Sequence, residues 1–116
     1  MSVASAGVVP DPLDRTLAAL ADPHRRQVVE LLRERPRRAG ELAAELAVRP
    51  SVMSRHLKVL RDSNVVEEAS PEFDARVRIY SLRSGATAEL RSWLDAVERG
   101  WADQLAALKT HVEQSR

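Results

Sequence analysis

The sequence predicts a mainly α-helical domain with a two-stranded β-hairpin, and three observations lead to this fold class. Apolar residues recur three and four positions apart over most of the chain, as they do on one face of a helix. Pairs that contain proline divide this pattern into short helices. Alternation with a period of two marks residues 76–82, which follow a Val-Val pair at 65–66. With 116 residues, the chain is expected to form one domain.

The start of the chain predicts a tail followed by a short helix. Residues 1–12 are small and aperiodic and end in Pro-Asp-Pro, so we expect a flexible tail there and a folded domain over residues 13–116. Leu13, Leu17 and Leu20 share one face of the first helix. That face needs a partner to cover it.

A second helix is predicted from an Asp-Pro pair. Asp22 can cap the helix with its carboxylate. Pro23 fits the first turn, because a backbone N–H at that position has no partner within the helix and proline lacks one. Apolar spacing continues to about Arg33, and Pro36 closes the segment.

Residues 40–60 predict two short helices joined by a tight connection. Pro50 disfavours a helical conformation at Arg49, so one helix ends before this pair and another begins with Pro50 in its first turn. The inward face of the second helix is formed by Met53, Leu57 and Leu60. Its opposite face carries Ser51, Ser54, Arg55 and Lys58. Because such a face can enter the major groove, the motif predicts a DNA-binding helix-turn-helix, with double-stranded DNA as partner.

The side chains of this reader helix predict different contacts. Arg55 has a planar fork that matches two acceptors of guanine, whereas Lys58 is a point charge suited to phosphate. His56 lies beside the apolar stripe, and both a packed role and a phosphate contact are open. Arg37 and Arg38 precede the third helix and could meet the DNA backbone or remain solvated.

A β-hairpin, or wing, is predicted after the reader helix. Asn64 is the expected left-handed residue that ends that helix. One strand opens at residues 65–66, the tip lies at 70–75, and residues 76–82 form the second strand, whose Arg76 and Arg78 share one face. The wing also carries acidic residues that would repel phosphates, so its contact with DNA is an open question; they are Glu67, Glu68, Glu72 and Asp74. The complete set of candidate DNA contacts is Arg37, Arg38, Ser51, Ser54, Arg55, His56, Lys58, Arg76 and Arg78.

A long final helix is predicted from about Ala86. Its apolar stripe extends over six turns, which is longer than one small domain can cover. We therefore expect this helix to pair with its own copy and with the first helix across a two-fold axis. The predicted interface residues are Leu13, Leu17, Leu20, Leu90, Leu94, Val97, Trp101, Leu105 and Leu108.

Charge and composition narrow the function classes. The net charge of +1 conceals a basic middle, because residues 22–61 hold ten basic and five acidic side chains, while residues 62–116 hold seven and ten. This asymmetry favours a polyanionic partner, although a solvated arginine-rich surface is the alternative. The absence of cysteine excludes disulfides and thiolate metal sites. No catalytic constellation, cofactor motif, secretory signal or membrane span is recognisable, so we expect a cytoplasmic protein that is not an enzyme.

Several motifs together resemble the ArsR/SmtB family of bacterial transcriptional regulators. The matching segments are residues 20–23 (Leu-Ala-Asp-Pro), 25–26 (Arg-Arg), 41–43 (Glu-Leu-Ala), 54–61 (Ser-Arg-His-Leu-Lys-Val-Leu-Arg) and 80–82 (Tyr-Ser-Leu). The resemblance implies a winged helix-turn-helix that binds operator DNA as a homodimer, represses transcription, and builds its dimer interface from the first and last helices.

The resemblance also bears on metals, because many members of the family are metal sensors. The thiol positions of that family correspond here to Ala43 and Glu45, and the last helix offers a single histidine, His111. Trp93 and Trp101 resemble the metal-free branch, and no metal site is therefore expected. Two alternatives remain: a winged helix that serves as a protein-interaction module, and a metal-responsive repressor with a site across the dimer. An unidentified inducer or partner protein is also open.

Overall fold

The computed structural model describes residues 11–115, which form five helices and a small antiparallel sheet. The elements are α1 (Pro12–Leu20), α2 (Pro23–Glu34), β1 (Arg37–Arg38), α3 (Ala39–Glu45), α4 (Pro50–Asp62), β2 (Val66–Ala69), β3 (Ile79–Leu82) and α5 (Ala88–Gln114). This order is a winged helix-turn-helix, and it confirms the predicted fold class. The sheet has three strands rather than two, because β1 pairs with the outer side of the hairpin.

The first two helices begin where the sequence places capping groups. The backbone N–H of Asp14 donates to the carboxylate of Asp11 at 2.8 Å, and α1 starts at Pro12, one residue before the predicted domain boundary. The predicted tail otherwise lies outside the described residues. The carboxylate of Asp22 accepts the N–H groups of His24 and Arg25 at 2.8 and 3.2 Å, which confirms Asp22 as the cap of α2.

The end of α1 is closed by arginine side chains from α2. Arg25 donates from Nε to the carbonyl of Ala19 at 2.7 Å, and Arg26 donates to the carbonyls of Leu20 and Ala21 at 2.8 and 3.0 Å. The last carbonyls of a helix lack intrahelical partners, so these bonds satisfy groups that would otherwise need water. The arginine pair thus joins α1 to α2.

The helix-turn-helix is built on a compact core. Ten buried apolar side chains form it: Ala19, Val28, Leu32, Leu42, Ala43, Met53, Leu57, Leu60, Val65 and Val66. The connection between α3 and α4 places Ala47 at a φ of 52°, a left-handed conformation that costs an alanine energy. Arg49 precedes α4 and makes no capping bond with its side chain, as its chemistry predicts. Asn64 ends α4 with a φ of 60°, which confirms its predicted left-handed conformation.

The sheet follows the order β1-β3-β2, and its register pairs Arg37 with Tyr80 and Val66 with Leu82. The prediction that the second strand begins at residue 76 was wrong, because β3 begins at Ile79. Residues 71–77 instead fold into consecutive turns, which consume backbone groups that a longer ladder would need. The N–H of Asp74 donates to the carbonyl of Pro71 at 3.1 Å in one of them.

The final helix packs against α1 and is otherwise exposed. It has 27 residues and a length of about 40 Å, and none of its described residues is buried. Gly85, with a φ of 75°, lies in the turn before it, and the helix begins two residues later than predicted. Large apolar side chains remain in solvent, with Trp101 exposed to 67% and Leu105 to 66%. No helix within residues 11–115 is both long and apolar enough to cross a membrane.

Candidate nucleic-acid interface

The outer face of α4 presents the polar side chains that the sequence predicts for a reader. Ser51, Ser54, Arg55 and Lys58 are all exposed. The inner face is anchored, because Met53, Leu57 and Leu60 are at most 1% exposed. A helix held by three fully buried side chains keeps its polar face in a defined orientation. The structure therefore places these four predicted contacts together on one accessible surface.

The two basic residues on this surface differ in their pairing. The Nζ of Lys58 donates to the carboxylate of Asp62 at 2.9 Å, one helical turn further on. Hydrogen bonding from Lys58 holds the pKa of Asp62 below its ordinary value. Arg55 has no ion pair within residues 11–115. The guanidinium of Arg55 is thus available to an acceptor, whereas the ammonium of Lys58 is already bound to a carboxylate.

His56 is half-buried and lines a shallow depression together with Arg25 and Arg55. The Nη1 of Arg25 lies 3.2 Å from its Nδ1, and because a guanidinium can only donate, Nδ1 is the acceptor. Burial lowers the pKa of His56, and the neighbouring Asp22 carboxylate opposes that effect. Of the two roles that the sequence left open, the structure favours the packed histidine.

Arg37 does not lie on the accessible surface, contrary to its place among the predicted DNA contacts. Its side chain is 8% exposed, and Nη2 donates to Glu34 at 2.7 Å while Nε donates to the carbonyl of Leu31 at 3.3 Å. Pairing of β1 with β3 turns this residue inward. Arg37 is therefore left out of the proposed DNA contacts.

Its neighbour Arg38 faces solvent and joins two arginines of the wing. Arg38, Arg76 and Arg78 line one shallow depression beside the start of α3. Residues 38 and 76 are 38 positions apart in sequence, and the pairing of β1 with β3 brings them together. Three cations around one depression form a second basic surface.

Two acidic residues of the wing form ion pairs with arginines of the wing and of α4. Glu68 accepts from Arg61 at 2.9 Å and from Arg78 at 3.0 Å, and Asp74 lies 3.3 Å from the Nε of Arg76. The pKa of Glu68 is lowered, first by the hydroxyl of Tyr80 and then by Arg61, against the effect of its burial. The repulsion of phosphate by the wing is consequently weaker than a count of its acidic residues suggests.

Comparison with known proteins identifies the family. The model of the family described as "Bacterial regulatory protein, arsR family" matches residues 22–68, from α2 through most of β2. The HTH-type transcriptional regulator Rv2034 of Mycobacterium tuberculosis is 40% identical over 82 residues, which are 71% of this chain and 74% of that protein. The chain belongs to the ArsR family.

Solved structures agree with the fold of this ArsR-family protein. An ArsR-like transcriptional regulator from Rhodococcus sp. RHA1 superimposes with a TM-score of 0.79 at 24% identity and covers 98% of each chain. The winged helix-turn-helix domain Mb0332 of Mycobacterium bovis, described as homodimeric, has a TM-score of 0.61 at 20% identity and covers 90% of this chain and 92% of its own. Both likenesses concern the fold. The family match and the relative Rv2034, together with this fold, make the protein a transcriptional regulator with a winged helix-turn-helix DNA-binding domain.

One group of polar residues in this ArsR-family chain was missed by the sequence reasoning. The sequence places His24 and His56 on different helices, yet their rings lie 5.7 Å apart, centroid to centroid. Asp22 lies beside them, with its Oδ1 4.0 Å from the Nδ1 of His24. Desolvation would raise the pKa of Asp22, but hydrogen bonds from the N–H groups of Arg25 and His24 hold it below its ordinary value. The packing of α2 against α4, which no local pattern encodes, creates this group.

Proposed function

We propose that this protein is a homodimeric repressor that binds a pseudo-palindromic operator in the cytoplasm and regulates its own operon. The exposed polar face of α4 carries the proposal, because a buried stripe holds it rigidly and Arg55 lies on it unpaired within the described residues. Membership of a family of transcriptional regulators supports the same role.

We assign base readout to Arg55 and backbone contact to Lys58. A bidentate contact from arginine to guanine contributes about 1 to 3 kcal/mol of discrimination between bases. A lysine held by Asp62 at 2.9 Å can exchange that carboxylate for a phosphate, which orients the protein without reading sequence. Ser51 and Ser54 are short enough to let the helix approach the base edges.

The second basic surface is proposed to contact the DNA backbone. Arg38 and Arg76 are exposed, and the side chain of Arg76 is exposed to 91%. Arg78 shares this surface but is held by Glu68 at 3.0 Å, so it contributes less. Contacts of this kind add affinity for any sequence and make binding sensitive to salt.

The proposed dimer covers the exposed stripe of α5. The apolar residues that the stripe leaves in solvent include Leu94 at 45%, Trp101 at 67% and Leu108 at 58% exposure. Leu17 of α1 is also 39% exposed, and α1 packs against α5. Pairing of both helices with their copies would remove this surface from water. The two reader helices would then lie about 34 Å apart, one turn of DNA.

Binding selection followed by salt titration tests the proposal. The purified protein is expected to enrich a two-fold symmetric sequence and to lose affinity for random duplex steeply as salt rises. Arg55→Ala should cost about 1 to 3 kcal/mol on the selected sequence and relax its preference at two symmetric positions. Lys58→Ala should weaken selected and random DNA nearly equally and lower the salt slope by about one unit per contact.

Arg33→Ala is the matched control, because Arg33 is an exposed arginine of α2 that pairs with Glu30 instead of lying on α4. It should leave both affinities unchanged. Equal losses on selected and random DNA for Arg55→Ala would assign Arg55 to positioning and overturn its role in readout. Weak binding to every duplex at low salt would instead favour a protein-interaction module.

A further inference from the structure

We propose that Asp22, His24 and His56 form a binding site for a divalent transition-metal ion, with zinc as the best fit. One potential ligand atom of each residue lies within 4.8 Å of the others. Ligands of a tetrahedral zinc ion lie about 3.3 Å apart, so closure requires movements of about 1 Å. The side chain of His24 is 48% exposed and can rotate to provide them. This inference replaces the expectation from sequence that the chain has no metal site.

The ligand chemistry suits zinc. Two imidazoles and one carboxylate leave the fourth position of a tetrahedral ion to water, and nitrogen donors favour zinc, copper, nickel or cobalt over magnesium or calcium. The carboxylate of Asp22 is held in place, because its Oδ1 accepts two backbone N–H groups at the start of α2. The same oxygen lies 4.0 Å from the Nδ1 of His24.

Arg25 is the competitor of the ion for His56. Because Nδ1 of His56 accepts the guanidinium at 3.2 Å, the neutral ring carries its proton on Nε2. The ion can bind Nδ1 only after Arg25 moves away. It can bind Nε2 only after the ring proton has moved to Nδ1, and a protonated Nδ1 can no longer accept the hydrogen bond from Arg25. Either route breaks the bond between Arg25 and His56. Ion binding therefore exchanges one link between α2 and α4 for another.

This exchange would couple the ion to the reader helix. Arg25 also donates to the carbonyl of Ala19 at 2.7 Å, so it joins the end of α1 to α4 through His56. An ion that replaces this link shifts the position of α4 and thereby changes the affinity for the operator. By thermodynamic linkage, bound operator changes the affinity for the ion by the same factor. The coupling rests on the proposed function, whereas the site itself does not.

Titration calorimetry of the untagged full-length chain with zinc, without DNA, tests the site. One ion per chain is expected. His24→Ala and Asp22→Asn should each weaken zinc binding at least about tenfold. Asn retains the helix cap, and thermal unfolding of each variant reports whether it folds. His111→Ala, which removes the histidine of α5, is the matched control and should bind zinc as the unmodified chain does.

Arg25→Gln should tighten zinc binding, because it removes both the competing donor and a nearby positive charge, and a merely structural arginine would not have this effect. Cobalt in place of zinc should give the intense visible absorption of a tetrahedral site, and His56→Gln should abolish it. The absence of saturable binding, unchanged affinity in folded His24→Ala, or loss of binding in His111→Ala would each overturn the proposal. Zinc titration of preformed operator complex then tests the coupling separately.

Discussion

Replacement of Trp101 by alanine should dissociate the proposed dimer. In the single chain Trp101 is 67% exposed, although an aromatic side chain of this size can bury roughly 200 Å². About 130 Å² per protomer is thus available to a partner, and at roughly 25 cal/mol/Å² its burial contributes about 3 kcal/mol. Two copies contribute about 6 kcal/mol, which is an upper bound because association also costs rotational, translational and side-chain entropy. We expect dimer dissociation constants at least about a hundredfold higher for Trp101→Ala.

Sedimentation equilibrium across a range of concentrations measures this difference. Phe73→Ala is the matched control, because Phe73 is an aromatic residue exposed to 87% in the loop of the wing and is not part of α5. It should leave the dissociation constant unchanged. A monomeric unmodified chain at micromolar concentration would refute the dimer. An unchanged constant for Trp101→Ala, with its helix content intact by circular dichroism, would place the interface elsewhere.

Two further predictions concern residues of the sheet. Arg37→Ala should cost about 1 to 3 kcal/mol in urea unfolding, because it leaves the Leu31 carbonyl without its donor. It should not change the DNA affinity of the folded protein, and a fall in affinity at unchanged stability would restore Arg37 as a contact. Glu68→Gln should lower stability at neutral pH by about 1 kcal/mol, since Glu68 is 18% exposed and accepts from Arg61 and Arg78. Because folding lowers the pKa of Glu68, this contribution is complete above about pH 5 and is lost as pH falls through the folded value, so urea midpoints of variant and parent should converge in acid.

Local signals were sufficient to predict where α2 and α4 begin and which face of α4 is buried. Asp22 caps α2 because its carboxylate accepts the N–H of His24, two residues later in the chain. Pro50 lies in the first turn of α4, where the N–H that proline lacks is not needed. The stripe of Met53, Leu57 and Leu60 follows from the period of the helix alone. The fold class and family could therefore be predicted from sequence, whereas the DNA contacts and dimer interface remain predictions.

What the tertiary structure alone decided depends on groups that are distant in sequence. Arg37 is buried because β1 pairs with β3, which places Arg37 opposite Tyr80, 43 residues later in the sequence. His24 and His56 meet only because α2 packs against α4. A helical or strand period determines the face on which a side chain lies, but the neighbour of that face depends on how the elements pack. The sequence by itself therefore determined the elements and their faces, and packing decided which charged side chains are free to bind.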